Sequence, residues 1–523
     1  MNAHDTPGSS GDLLSMSSTR ERLGGNNALV EFRRLQQARS LTLELVTRLA
    51  SEAVTAFLEQ HAASGHYLRD AVTLLCELAS LDDPGLAQIG VHGLFPLLVE
   101  PLGDAFTTEA CASYNRLFAQ VIQYCRQQPD GVAIDSQLRH LGLMTEADLL
   151  RRAAHTRRRW HFERARAHQI KKAFVLSRVT LGADIAVTSV VLAALKHVCQ
   201  QAEIRLLGNA KTLELFAGDP RIQLDAIEYP RGGGLIERLR SWQGAVEVIG
   251  QETRGLAPTE YVIVDPDSRL TQLGLLPLVA DERPYLFFES RSYRAAALQK
   301  LGALTAHWIQ QVFGTTVPFY PYCAPSQPDV AAAKRIVTTM TRSITAPVVS
   351  VNLGVGANAA KRLPDPFEFR LLARLLSEGA MVILDKGAEP EEVARIDALV
   401  AMLGGEGFQA VALDERRDVV SSPAEIGEAS FVTWQGGIGR FAALIAESTA
   451  YIGYDSAGQH IAAALGVPTI DIFTGFTSPR MPERWSPHGP GPVHVLVLDA
   501  VETFSSTRLD MIIDDVLAHV PRG

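Results

Sequence analysis

The chain has 523 residues, 47% of them hydrophobic and 20% charged, a composition that is ordinary for a globular protein but too long for a single core. Its net charge of −9 excludes a global basic field, so nucleic acid is not an expected partner. The five cysteines (Cys76, Cys111, Cys125, Cys199 and Cys323) are widely spaced with no C-x-x-C pair, which excludes a disulfide framework or a zinc knuckle and suits reduced thiols in a cytoplasmic protein.

Roughly three domains follow from length alone. Residues 1–28 are rich in Ser, Gly and Asn, lack the apolar stretch of a secretory signal, and predict a disordered tail. No run of about 18 apolar residues predicts a bilayer span. Residues 29–150 predict a helical domain: "LTLELVTRLASEAVTAFLEQH" carries Leu41, Leu45, Leu49, Val54 and Leu58 at helical spacing, without strand-like alternation. Residues 151–170 form a basic linker. Its "RRAAHTRRRWHFERARAH" reads as a solvated helix face or interdomain connection, or as a contact with anionic lipid headgroups or a phosphorylated acceptor. The lipid reading would make the protein peripheral to the inner face of the cytoplasmic membrane.

Strands and helices then alternate, which predicts parallel sheets covered on both faces. The first α/β unit spans 171–325, with strands at "AFVLSRV", "EIRLLGN", "TEYVIVDPD" and "PYLFFES". The second spans 326–500 and opens with the strand "APVVSVNLG", and 501–523 predict a closing helix. Two doubly wound units in series leave a cleft at the carboxyl ends of their strands, where such folds bind ligands.

Four loops carry the candidate chemistry. In the second unit, "YIGYDSAGQHIAAALGVPTIDIF" sets Asp455, Ser456, Ala457, Gly458 and His460 where a buried strand turns into a helix. The free N–H groups and positive dipole end of such a helix make a phosphate seat. The plainer alternative is a capping Asp or Ser with His460 packed beneath. "VNLGVGANAAKRLP" places Gly354, Gly356 and Ala357 in a small-residue turn before Lys361, a cation able to meet a phosphate, so that Gly354 and Gly356 would bind the sugar donor with it, or else Lys361 and Arg362 are a surface pair in a loop. In the first unit, "SRVTLGADIAVTS" puts Gly182 and Asp184 at the first strand-to-helix turn, where a carboxylate facing the cleft would serve as general base and otherwise is a helix cap. "VDPDSRLTQLGLLPL" offers Asp265, Asp267 and Arg269 to a polar acceptor such as a sugar, or simply makes an Asp-Pro turn.

Taken together, the Gly182-Ala183-Asp184 turn, the loop ending Lys361-Arg362-Leu363-Pro364, and Asp455-Ser456-Ala457-Gly458-Gln459-His460 running to Gly466, Pro468 and Thr469 resemble glycosyltransferase family nine, the ADP-heptose:lipopolysaccharide heptosyltransferase-like enzymes. The resemblance covers about 170–500, and its third motif is the most specific. It implies a GT-B fold, an α/β architecture of two Rossmann-like domains facing a cleft, here preceded by an all-helical domain. It implies transfer of a sugar from a nucleoside-diphosphate sugar to a saccharide, lipid-linked or protein acceptor, without metal or other cofactor. Asp184 would be the base and Lys361 would hold a sugar-donor phosphate. Ser456, Ala457, Gly458 and His460 would line the diphosphate turn, ordered by Asp455. Gln435, Gly436 and Gly437 of "TWQGGIGR" would face the sugar donor, and Glu389 would approach its nucleoside. Domain closure would then bring the two substrates together. The family's usual Thr-Gly pair is Ser456-Ala457 here, and Ala183 is an extra residue in the Gly-Asp turn. The alternative is a catalytically silent GT-B-like scaffold that binds a nucleotide or glycan and docks a protein through its helical domain.

Overall fold

The computed structural model describes residues 25–158, 162–341, 346–356, 358–415, 423–499 and 504–522, so residues 1–24 of the expected tail and Ala357 lie outside the described residues. The chain divides into two compact units, Met1–Leu94 and Phe95–Gly523. The helical region expected as one domain over 29–150 is therefore divided, and its second half belongs to the body that holds the sheets.

The first unit contains helices Gly25–Gln37, Leu43–Ser64, Arg69–Leu78 and Pro84–Leu94. Thr42 starts the second of these by accepting the Leu45 N–H at 3.3 Å, and Gly65 ends it at φ +67°, a conformation that favours glycine. The buried face of that helix is Val46, Leu49, Ala53, Val54 and Phe57. Two helical runs, Pro84–Asp104 and Leu181–Val198, have the length and composition of bilayer-crossing helices, but 67% of the second is buried in the protein, as in the core helix of a soluble fold.

In the second unit, β1 (Lys172–Leu176), β2 (Glu203–Gly208), β3 (Ile222–Ala226), β4 (Tyr261–Asp265) and β5 (Tyr285–Phe287) form a sheet of order β3-β2-β1-β4-β5. A further set, β6 (Val348–Asn352), β7 (Met381–Asp385), β8 (Ala410–Asp414), β9 (Phe431–Gln435), β10 (Ala450–Tyr454), β11 (Thr469–Phe473) and β12 (Val493–Val497), forms a sheet of order β12-β11-β10-β6-β7-β9-β8. Every pairing is parallel. Two Rossmann-like sheets with helices on their faces are the α/β, GT-B-type architecture expected. β4 and β10 are buried along their whole length, as central parallel strands must be.

The strand order reverses between β1 and β4 in one sheet and between β10 and β6 in the other. Such switch points open crevices at the strands' carboxyl ends. One hydrophobic cluster runs from Val175, Val190 and Trp308 of the first sheet's layers to Ile383, Trp434, Phe441 and Tyr451 of the second. A second cluster fills the far face of the second sheet beneath helices Phe367–Ser377 and Ser506–Ala518. The basic linker bonds inward. Arg152 holds Glu282 at 2.6 Å and the Gly274 carbonyl at 2.7 Å, Arg157 pairs with Glu289 at 2.7 Å, and Arg164 donates to the Gly314 carbonyl at 3.0 Å.

Candidate sugar-donor and acceptor site

At the second sheet's switch point, β6 ends in Asn352 and β10 runs into Asp455. Lys361, on the turn Ala359–Lys361, reaches across so that its Nζ lies 2.5 Å from Asp455 Oδ2. Gln459 Nε2 donates to Asp455 Oδ1 at 2.8 Å. The structure thus joins the two loops that the sequence left apart. Ser456 begins helix Ala457–Ala464 without capping it; its hydroxyl donates instead to Asn352 Oδ1 at 3.2 Å. The first-turn N–H groups therefore keep their free, dipole-aligned ends beside an ammonium. Neither Ser456 nor Ala457 needs a positive φ, so the change from Thr-Gly costs the backbone nothing.

His460 is buried beneath this turn, edge-on to Trp485 with ring centroids 6.0 Å apart. Burial pushes its pKa down to about 4, so at neutral pH it is an uncharged imidazole. Gly458 is required for space: a Cβ there would stand 2.2 Å from the hydroxyl and 2.8 Å from the ring of fully buried Tyr451. Gly458→Ala is expected to cost about 1–3 kcal/mol through overpacking. Urea unfolding measures it, and an unchanged midpoint would mean that Tyr451 can move. Under the same turn, Asp471 is fully buried with neither carboxylate oxygen hydrogen-bonded, and burial pushes its pKa well above the usual range. Nothing in its apolar-looking strand, "PTIDIF", signals that isolation.

The Gly354–Gly356 loop is differently arranged from the expectation that it meets a phosphate. Val355 and Gly356 donate their N–H groups to Glu392 Oε1 at 3.0 and 2.9 Å, and Gly354 donates to Asn352 Oδ1 at 3.2 Å. Glu392, in the first turn of helix Pro390–Gly405, touches this loop, whereas Glu389 is exposed at the helix start. The Gln435–Gly437 turn also departs from expectation. β9 lies two strands from β6, the Gly437 N–H goes to Glu415 Oε1 at 2.9 Å, and the Gly439 N–H goes to Glu214 Oε2 at 3.0 Å. Protein carboxylates fill that helix start, which serves as a contact with the first sheet's layer.

At the turn after β1, the expectation that Asp184 faces the cleft is corrected. Asp184 is fully buried. Oδ1 accepts from the Arg178 N–H at 2.7 Å and Thr188 Oγ1 at 2.8 Å, and Oδ2 accepts from Ser177 Oγ at 2.7 Å and Thr212 Oγ1 at 3.3 Å. Burial raises its pKa against these four hydrogen bonds. The carboxylate shapes the β1 turn from inside. Asp184→Ala is expected to destabilise the protein by on the order of 3 kcal/mol, because it strands buried donors. Calorimetry checks this, and a loss below about 0.5 kcal/mol would show that the donors find other partners.

Asp265 is likewise sealed, taking Thr271 Oγ1 at 2.5 Å, Tyr285 OH at 2.7 Å and the Ser268 N–H at 2.7 Å, with burial pushing its pKa up to about 6. It cannot bind an acceptor. Asp267 and Arg269 do line a cavity of about 170 Å³ at the β1–β4 switch point. Arg178, Thr180 and Ala183 from the β1 turn share its wall, with Tyr114, Arg291 and Trp485. Segment 99–106 adds Glu100, Gly103 and Asp104. Helix Leu181–Ala183 joins this wall to the Lys361–Asp455 turn, since a Cβ on Gly182 would lie 3.2 Å from His460 and 3.5 Å from the Ala457 Cα.

Residues 436–505 match the sequence model of Glycosyltransferase family 9 (heptosyltransferase). Over that span the chain is similar to this family. The matched span contains Asp455, Ser456 and His460. Similar solved structures include a family 9 glycosyl transferase from Veillonella parvula, at 16% identity over 67% of this chain and 96% of that one with a TM-score of 0.47. ADP-heptose lps heptosyltransferase II of E. coli is similar at 15% identity over 67% and 98%, TM-score 0.42. An E. coli heptosyltransferase solved with ADP is similar at 13% over 67% and 99%, TM-score 0.40. Comparison with curated proteins gives no match.

Proposed function

We propose that this protein transfers a glycosyl group from a nucleoside-diphosphate sugar to an acceptor hydroxyl of a glycan, lipid-linked saccharide or protein, with a lysine and a helix start in place of a metal ion. The observation that carries this reading is Lys361 Nζ held 2.5 Å from Asp455 beside the uncapped start of helix Ala457–Ala464. A diphosphate there meets one ammonium and a row of backbone N–H groups, and both stabilise the charge that develops as the sugar leaves. Asp455 orients the lysine. Neutral His460 offers one further hydrogen bond without adding charge. The match over 436–505 supports the same chemistry.

A thermal-shift panel of nucleoside diphosphates and nucleotide sugars, with and without magnesium, tests it. Ligand at about 100 times its Kd stabilises by about 2.7 kcal/mol. A magnesium-independent shift identifies the nucleoside. No shift from any member would favour the silent scaffold, in which Glu392 and Asp455 permanently occupy the groups that a phosphate would use.

A further inference from the structure

We propose that Asp104, rather than Asp184, is the base that takes the proton from the acceptor hydroxyl, and that the cavity it lines at the first sheet's switch point is the acceptor subsite. The inference rests on the glycosyl-transfer reading above.

The carboxylates around the site differ in what they already hold. Asp184 accepts four hydrogen bonds, Asp265 accepts three, Asp267 is committed to Arg291 and Ser290, and Asp455 to Lys361 and Gln459. Asp104 accepts none among the described residues, is half-buried, and lines the cavity at the end of helix Glu100–Asp104. Glu100 from the same helix also lines it but is exposed. A base needs a free lone pair, access to substrate and partial shelter from water, and Asp104 combines the three.

The charged surroundings fit the role. Glu100 faces Asp104 from its own helix, Arg269 from the turn after β4, and Lys361 and Asp455 from the second sheet's switch point. Arg178, Arg291, Asp267 and Tyr114 complete the cavity wall. Burial pushes the Asp104 carboxyl up to about 6, opposed by Lys361 and Arg269. A base with that pKa is ionised at neutral pH and still basic enough to accept a proton. Asp104 lines the cavity, and Lys361 and Asp455 lie within electrostatic reach of its carboxylate.

The step balances. The acceptor O–H proton passes to an Asp104 oxygen while the acceptor oxygen bonds to the sugar's anomeric carbon. The bond from that carbon to the diphosphate breaks, and its electron pair leaves with the diphosphate toward Lys361. Asp104 then returns the proton to solvent.

The test uses the full chain with Asp104→Asn and Asp104→Glu. Nucleoside diphosphate release is followed from a panel of nucleoside-diphosphate sugars between pH 5 and 9, with simple saccharides or water as acceptor, alongside the nucleoside diphosphate thermal shift. Asn is expected to lower release by about 100-fold or more, the usual scale for a lost general base. It should leave the thermal shift intact and abolish the wild-type fall in rate on the acid side of about 6, while Glu restores part of the rate. Release within about threefold of wild type, or an unchanged acid limb, overturns the assignment and leaves glycosyl transfer standing. Loss of the nucleotide shift in Asn overturns it too, placing Asp104 in sugar-donor binding. Wild-type protein with neither shift nor release sinks the glycosyl-transfer reading itself. Because Asp104 has no hydrogen-bonded partner among the described residues, both variants should melt with the wild type, and a melting point several degrees lower would contradict the unpartnered geometry.

Discussion

Replacing Arg291 with alanine is expected to lower the unfolding free energy by about 3–5 kcal/mol, the scale for stranding one member of a buried ion pair. Arg291 and Asp267 are 4% and 0% exposed in their side chains, with Nε to Oδ2 at 2.9 Å and Nη2 to Oδ1 at 3.1 Å. Ser290 Oγ adds a third bond at 3.0 Å, and the guanidinium lies 4.3 Å from the centroid of the Tyr114 ring. Asp267 also adopts φ +68°, an uncommon conformation for a non-glycine that this pairing helps hold. Burial alone would raise the Asp267 pKa, yet Arg291 and then Arg178 hold it below 3.8. Its stabilising contribution is therefore present above about pH 3.8 and lost as pH falls through the lowered value. Without Arg291, burial acts unopposed by its main partner, so the variant should lose stability as pH rises instead. Urea unfolding at pH 4 and pH 7 reads both effects. A loss below about 1 kcal/mol at both values would mean that water reaches the carboxylate through the cavity.

Lys361→Ala is expected to weaken nucleoside diphosphate binding by about 10- to 100-fold, the equivalent of a charge-assisted contact of about 1.5–3 kcal/mol. The neighbouring Arg362 is the control. It bonds Glu368 Oε1 at 2.9 Å and belongs to the fold of helix Phe367–Ser377, so Arg362→Ala should lower stability and spare affinity. Isothermal titration with the nucleoside diphosphate identified in the panel separates the two. Equal loss in both variants would assign the effect to general disorder of the loop and not to a phosphate contact.

The central sheet was legible because burial on both faces leaves an uninterrupted apolar run. "YVIVD" and "AYIGY" announce β4 and β10 without help from their neighbours. β9, a buried inner strand, was not read from the sequence, and neither were β3 and β12. The latter two are edge strands whose residues are mostly half-buried or exposed, so "IQLDA" and "VHVLV" resemble loop or surface as much as strand.

The Asp455–His460 turn was legible for the same local reason: a strand, small residues and a helix follow one another directly. The role of a carboxylate was not. Asp184 occupies a Gly-x-Asp turn whether its side chain points outward or inward, and the donors that enclose it come from Ser177, Arg178, Thr188 and Thr212, as much as 28 residues away. Asp104 ends a helix in "EPLGDAF", where it reads as an ordinary terminal residue. Only the packing of segment 99–106 onto the β1 and β4 turns gives it a cavity to face. Glu392 and Glu389 differ by less than one helical turn, which places one on the Gly354–Gly356 loop and the other in solvent.

The two sheets share a hydrophobic cluster that reaches from Val190 and Trp308 to Phe441 and Tyr451. Hinged halves normally meet across a smaller, wetter surface. Here a wide opening would expose core, so the domain closure expected from the resemblance would have to be a small motion. The same continuity should make Phe95–Gly523 melt as a single cooperative element. Severing the chain near residue 326 should yield two insoluble fragments, whereas nucleotide bound at Lys361 should delay the collapse of the acceptor sheet as much as that of its own.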